Sequence, residues 1–228
     1  SAGSVNTDAG FSIVSWTGNG SDATIAHGLS QAPTIYFVKN RADAADWRVG
    51  QVLGGNIMTG GNGYYMELND SKASTNPGSA VTWGSTPTAP TSSVFTVGSN
   101  NAHNGSSDAM IAYCFHSVKG YSKMGSFVSN NTSDNAFIYT GFAPALLIAK
   151  STTSANNWVI HDNTRNTFNP RSAKLYPDLT NAEDTETDWD FLSNGLKLRA
   201  GAGANTFIYM AFAENPFVTS TKIPTTAR

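Results

Sequence analysis

Sulfur cross-links, charge and helical periodicity are what this sequence has least of. One cysteine, Cys114, occurs in 228 residues. No intrachain disulfide can form, and no thiolate metal cluster can be built. Charged residues make up 13% of the chain, against a usual share of about 25%. The 14 Lys and Arg and 16 Asp and Glu leave a net charge of −2, with no basic run anywhere. The electrostatic footprint that nucleic acid requires is missing. No apolar stretch approaches the roughly 20 residues of a membrane-spanning helix; the longest are like Ala145-Leu-Leu-Ile-Ala149. No window of about 11 residues shows a helical apolar period. The chain starts at Ser1 without Met or a signal-peptide pattern, which reads as a processed product or an expressed fragment.

What is present points to a folded, β-rich chain. Apolar residues are 39% and aromatics 11%, enough for a sizeable core, while a disordered chain is poor in aromatics and rich in charge. The surface is left to Ser, Thr, Asn and the 21 Gly. That composition suits many turns, and an extracellular or virion surface more than a cytosolic enzyme. Cys114 lies in the apolar run Met110-Ile-Ala-Tyr-Cys-Phe-His116. It reads as a buried small hydrophobe, with a catalytic thiol as the alternative.

An internal repeat is the most informative feature. Residues 15–47 align with 126–158 at one offset without a gap. Ser15, Asn19, Ala32, Pro33, Lys39, Ala44 and Trp47 meet Ser126, Asn130, Ala143, Pro144, Lys150, Ala155 and Trp158. A second block repeats at a shorter offset: Met110-Ile-Ala-Tyr-Cys-Phe115 matches Phe207-Ile-Tyr-Met-Ala-Phe212, and Val94-Phe95 matches Phe191-Leu192. The expected organisation is a first β-rich unit over residues 1–118, a second over 119–217 packed on it, and a polar tail over 218–228. Strands are expected at 11–16, 34–39, 64–68, 94–97, 145–150, 158–160, 195–199 and 207–212. Turns are expected at 18–20, 54–56, 60–63 and 193–195, the last closing a hairpin. Residues 71–93 and 165–187, rich in Ser, Thr and Pro, read as the long variable loops of the two copies, where binding usually resides. The fold class is all-β: two similar antiparallel sandwich-like units from a duplication, with long polar loops.

Catalytic motifs are lacking. There is no Gly-x-Ser-x-Gly, no His-Glu-x-x-His and no phosphate-binding Gly loop. His27, His103, His116 and His161 lack metal-ligand spacing and read as turn or strand-end residues satisfied by backbone hydrogen bonds. The acids from Glu183 to Asp190 read as a solvated loop that either faces water or holds a cation such as Ca²⁺; whether a metal binds is left open. A glycosidase would need two facing carboxylates, and nothing singles out a pair. No cofactor is expected. Trp47 and Trp158 recur between the copies and read as core or copy-to-copy packing. Trp83 and Trp189 lie in the non-repeated middles among polar residues. With Tyr64, they are the candidate ligand contacts, able to stack on a sugar; capping the core beneath the loops is the alternative.

The ordered motifs resemble a domain family common in predicted structural proteins of tailed bacteriophages, often marine ones, and frequently near lectin-like modules. The matching residues are Gly10-Phe-Ser-Ile-Val-Ser-Trp-Thr-Gly-Asn-Gly20, His27-Gly-Leu29, Ala32-Pro33, Val38-Lys-Asn-Arg41 and Asp46-Trp47. They continue through Ala112-Tyr-Cys-Phe-His-Ser-Val118, Gly120-Tyr-Ser-Lys-Met-Gly-Ser126, Tyr139-Thr-Gly-Phe142, Asn157-Trp158, Leu192-Ser-Asn-Gly-Leu-Lys-Leu-Arg199 and Phe207-Ile-Tyr-Met-Ala-Phe-Ala-Glu-Asn-Pro-Phe217. The resemblance spans residues 8–217. Two departures are Ser129-Asn-Asn131 for the usual Gly-Asn-Gly, and Leu196 for a more usual Phe. The resemblance implies a virion or tail-appendage role: a tail fibre, knob or capsid decoration on the particle surface, acting in assembly or host attachment. It implies a homo-oligomer in contact with other virion proteins and carries no catalytic residue. A carbohydrate-binding module recognising host-surface glycans is the alternative function.

Overall fold

The structure, a computed structural model, describes residues 2–54, 63–76 and 82–215. Most of the turns expected at 54–56 and 60–63, the Pro77 portion of the first long loop, and the tail over 218–228 lie outside the described residues. The chain divides into two compact units, residues 1–116 and 117–228.

The first unit contains β1 (Ala2–Asn6), β2 (Phe11–Thr17), β3 (Ala23–Ala26), β4 (Ile35–Asn40), β5 (Arg48–Gln51), β6 (Met66–Glu67), β7 (Val94–Val97), the single helical turn α1 (Asn101–Asn104) and β8 (Ala109–Phe115). Six strands form an antiparallel sheet in the order β1-β2-β8-β4-β5-β6, and β3 pairs with β7. Side chains alternate across a strand, so Met110, Ala112 and Cys114 of β8 face inward together with Val14, Tyr36 and Val38. They meet Ile25, Phe95 and Val97 from the ribbon, and Trp83 from the long loop. Burying each large side chain contributes about 1.5–3 kcal/mol, which accounts for a stable unit without a disulfide.

The second unit contains β9 (Ser122–Val128), β10 (Phe137–Tyr139), β11 (Pro144–Ser151), β12 (Val159–Asp162), β13 (Arg171–Lys174), β14 (Asp184–Leu192), β15 (Gly195–Leu198) and β16 (Thr206–Ala213). Two antiparallel sheets form, β12-β11-β16-β9 and β10-β15-β14-β13. Leu147, Ala149, Tyr209 and Ala211 of the first face Ile138, Trp189, Phe191, Leu196 and Leu198 of the second. Among the described residues helix is confined to α1, and both units are antiparallel, sandwich-like β structures.

The repeat is visible in the pairing registers. The order β2-β8-β4-β5 of the first unit recurs as β9-β16-β11-β12 in the second. The pairs Phe11↔Phe115, Ile35↔Phe115 and Ile35↔Gln51 recur as Ser122↔Phe212, Leu146↔Phe212 and Leu146↔Asp162. Two offsets, 111 residues for the first, second and third of these strands in sequence (Phe11 to Ser122) and 97 for the last (Phe115 to Phe212), convert one set of pairs into the other. β1 has no strand counterpart: no described strand pairs with the outer edge of β9.

Three expectations need correction. The 111-residue offset is not continuous. Ile25 pairs with Phe95 where Ile138 pairs with Leu196, so Ile138 is the counterpart of Ile25. His27-Gly28-Leu29 likewise matches Thr140-Gly141-Phe142, not the residues two positions earlier. Both glycines hold positive φ, 73° and 85°, a conformation that carries no steric cost for Gly. In each turn the residue before the Gly accepts the N–H of the residue after it. Two residues are gained before β10 and two lost after it, which restores the offset. Next, pairing makes β15, not Phe191-Leu192, the counterpart of β7; two apolar residues in sequence do not distinguish neighbouring strands. Finally, residues 165–187 are not one loop, because they hold β13 and the start of β14.

Candidate functional site

The candidate ligand contacts do not lie on the surface. Trp83 is 0% exposed and Trp189 3%. Trp83 donates its indole N–H to the Tyr64 carbonyl at 2.9 Å and packs edge-on against Tyr36 and His103. Tyr64 is half-buried and serves Trp83 through its backbone. Trp189 meets Phe127 edge-on at 5.7 Å. Both indoles are core residues: Trp83 has no exposed surface, and Trp189, on β14, is reached only through the pocket described below. The recurring Trp pair also divides. Trp158 is buried, whereas Trp47 is half-exposed and packs on Tyr113.

The histidines are all buried, by different means. His27 follows expectation: Nδ1 accepts from Leu29 N–H at 3.1 Å, and Nε2 lies 3.1 Å from the Thr91 carbonyl. His103 departs from it. Neither of its ring nitrogens has a hydrogen-bond partner among the described residues, and its ring sits 4.6 Å from Trp83 and 6.3 Å from Tyr65. Burial, with Arg48 adding to it, holds its pKa well below the usual range, so the ring is neutral. Cys114 is fully buried and free. Burial pushes its thiol up to about 12, so no thiolate is available as a nucleophile. Among the described residues no group of three His, Cys, Asp or Glu could hold a metal ion.

Of the acids expected in a solvated loop, Asp184, Glu186, Asp188 and Asp190 belong to β14, with Glu183 just before it, and most are engaged by cations. Lys174 pairs with Glu186, and with Asp188 at 3.2 Å. Arg165 bonds Asp162 at 2.6 Å and Glu183 at 2.8 Å. Arg199 bonds Asp190 at 2.6 Å, and the Tyr176 hydroxyl donates to Asp184 at 2.9 Å. Burial raises Asp188 above the usual carboxylate range, with Lys174 opposing it. Burial also works against the Lys174 ammonium, but Glu186, Asp188 and Tyr176 outweigh it and its pKa is raised. His161 lies 3.7 Å from Asp188. Burial, reinforced by Lys174 and Arg165, brings its pKa down to about 4.

Beside this network, between the two sheets of the second unit, opens a pocket of about 300 Å³. Ala149, Val159, Trp189, Leu198 and Phe207 supply its apolar lining; Lys174, Tyr176, Glu186, Asp188 and Asn157 supply its polar wall. Of the candidate contacts, Trp189 alone reaches it. Sequence reasoning missed Lys174, and it placed Asp188 in a solvated acidic loop instead of on a strand. The available signal was the alternation Asp184-Thr-Glu-Thr-Asp-Trp-Asp-Phe191, with an acid at every second position, which is the period of a strand.

These features define a duplicated, all-β sandwich protein. A family model described as "Domain of unknown function (DUF7483)" matches residues 1–216, and the chain belongs to that family. No curated protein matches it. A solved structure described as "Crystal Structure of the STIV MCP" is similar with a TM-score of 0.21 and 10% identity, over 88% of this chain and 95% of that one. A likeness that slight has no bearing on function.

Proposed function

We propose that the protein is a non-enzymatic structural component of a virus particle, displayed on the particle surface as a tail-fibre, knob or capsid-decoration module. The observation that carries this reading is that its chemically capable side chains serve the fold. Cys114 is buried with a raised pKa, His103 is a packing ring, and the β14 acids are engaged by Lys174, Arg199 and the Tyr176 hydroxyl. The virion setting follows from the resemblance to tailed-phage structural domains and from a surface built on Ser, Thr, Asn and Gly. Assembly with further copies and with other virion proteins is the corresponding mode of action. Exposed apolar residues of the second unit, Phe168 at 82% and Val128 at 65%, are available for such contacts. Glycan stacking on Trp83 and Trp189 is no part of this reading.

The test is the solution mass of the purified chain by light scattering across a hundredfold concentration range. A defined oligomer is the expected result; a monomer throughout overturns self-assembly. Turnover of a polysaccharide that disappears with one carboxylate substitution would overturn the non-enzymatic assignment.

A further inference from the structure

The connection between β7 and β8 holds a helical turn that its counterpart lacks, and the second unit has a pocket where the first holds His103. Residues 98–108 join β7 to β8 and include α1; residues 199–205 join the counterparts β15 and β16. The second connection is four residues shorter, the length of α1. In the first unit α1 carries His103 inward, among Trp83, Tyr65 and Arg48. The registers give the counterparts of the surrounding residues. Arg48 corresponds to Val159, Val38 to Ala149, Met110 to Phe207 and Val97 to Leu198. Val49↔Met66 corresponds to Ile160↔Leu175, which sets Lys174 in the place of Tyr65. Val159, Ala149, Phe207, Leu198 and Lys174 all line the pocket. The pocket therefore lies where the first unit places the His103 ring, with Arg48 and Val38 standing where the pocket has the smaller Val159 and Ala149.

The lining selects a guest. An apolar cavity of about 150 Å³ holds a benzene ring, so about 300 Å³ admits a two-ring body. Trp189, Phe207, Val159 and Ala149 provide apolar and π surface for it. On the polar wall two carboxylates, Glu186 and Asp188, face one ammonium, Lys174, leaving a net charge of −1. Aromatic rings combined with excess carboxylate favour an organic cation. We propose that this pocket binds a small organic cation with a flat apolar body, an aromatic amine, its rings lying where His103 lies in the first unit and its ammonium directed at Glu186.

The test is calorimetric titration of the full chain with tryptamine, indole and indole-3-acetate. Tryptamine is expected to bind, and indole-3-acetate to bind at least about tenfold more weakly. Ala202→Trp, which fills the pocket from the loop that lacks the helical turn, is expected to weaken tryptamine at least about tenfold without moving the thermal midpoint. Glu186 is largely exposed, so Glu186→Gln leaves the fold intact; it is expected to weaken tryptamine about three- to fivefold and leave indole unchanged. If Ala202→Trp lowers the midpoint, the Glu186→Gln comparison decides. Equal affinity for tryptamine and indole-3-acetate, no heat from any of the three at millimolar concentration, or unchanged affinity in the folded variants overturns the proposal.

Discussion

Single side chains show how far burial governs this protein. Trp83 has no exposed surface and a satisfied indole N–H, so Trp83→Ala is expected to cost about 3–5 kcal/mol in urea unfolding. Its neighbourhood in sequence, Ser, Thr, Pro and Gly, left both capping the core and contacting a ligand open, because burial depends on which way a loop folds over and flanking polarity carries no information about that. His161 gives the stability curve its acid limb. Its pKa falls from 6.5 in the unfolded chain to about 4 in the fold. As pH drops, the unfolded chain takes up the proton first, so stability is complete above 6.5 and is lost on descending toward 4, by about 3 kcal/mol. His27 and His103 shift in the same direction, while Asp188, with its raised pKa, acts oppositely at the bottom of the range. Thermal midpoints between pH 7 and 4.5 should fall, and His161→Gln should flatten the slope.

At the scale of elements, the repeat was legible because strands keep their register. A one-residue slip would turn every inward side chain outward, so β2, β4 and β5 of the first unit are preserved at one offset in the second and β8 at another. Length changes accumulated in the connections, which is where the sequence alignment failed: around His27-Gly-Leu29 and between β7 and β8. The acidic first part of β14 was missed for a different reason, although its end at the 193–195 hairpin was expected. Dense acid usually marks a solvated segment, yet here Lys174, Arg165 and Arg199 pair with much of it from neighbouring elements, and those partners are not adjacent in sequence. The pairing makes a prediction. Lys174→Ala leaves Asp188, which is mostly buried, without its cation, and is expected to destabilise by about 3–5 kcal/mol, read by calorimetry at pH 7. α1 makes another. Its N-cap Asn100 accepts the Ala102 N–H at 2.9 Å, and Asn104 bonds the Trp16 indole, Asn19 and Ser21. Asn104→Ala removes these bonds, leaves the half-buried Trp16 indole N–H without its acceptor, and is expected to cost about 1–3 kcal/mol in urea unfolding.

For the whole molecule, every described sheet closes within one unit, and each unit has its own apolar core. Residues 1–116 and 117–228, expressed separately, are each expected to fold, giving dispersed amide NMR spectra and cooperative melts; a collapsed spectrum from either would show that the units depend on each other. No helix among the described residues is long and apolar enough to cross a membrane. The duplication was the one whole-molecule property the sequence displayed openly, because identical offsets recur across distant strands. The pocket was not legible, because it comes from a missing turn rather than from any residue present.

That missing turn has a thermodynamic consequence. A guest that enters only the second unit stabilises only that unit, by mass action on its folded state. At a hundred times its dissociation constant the gain is about 2.7 kcal/mol, and the first unit, plugged by His103, gains nothing. A calorimetric scan with ligand would then resolve one melting component moving upward while the other stays in place. The chain thus contains its own reference: two copies of one scaffold, heated in the same cell, of which one can respond.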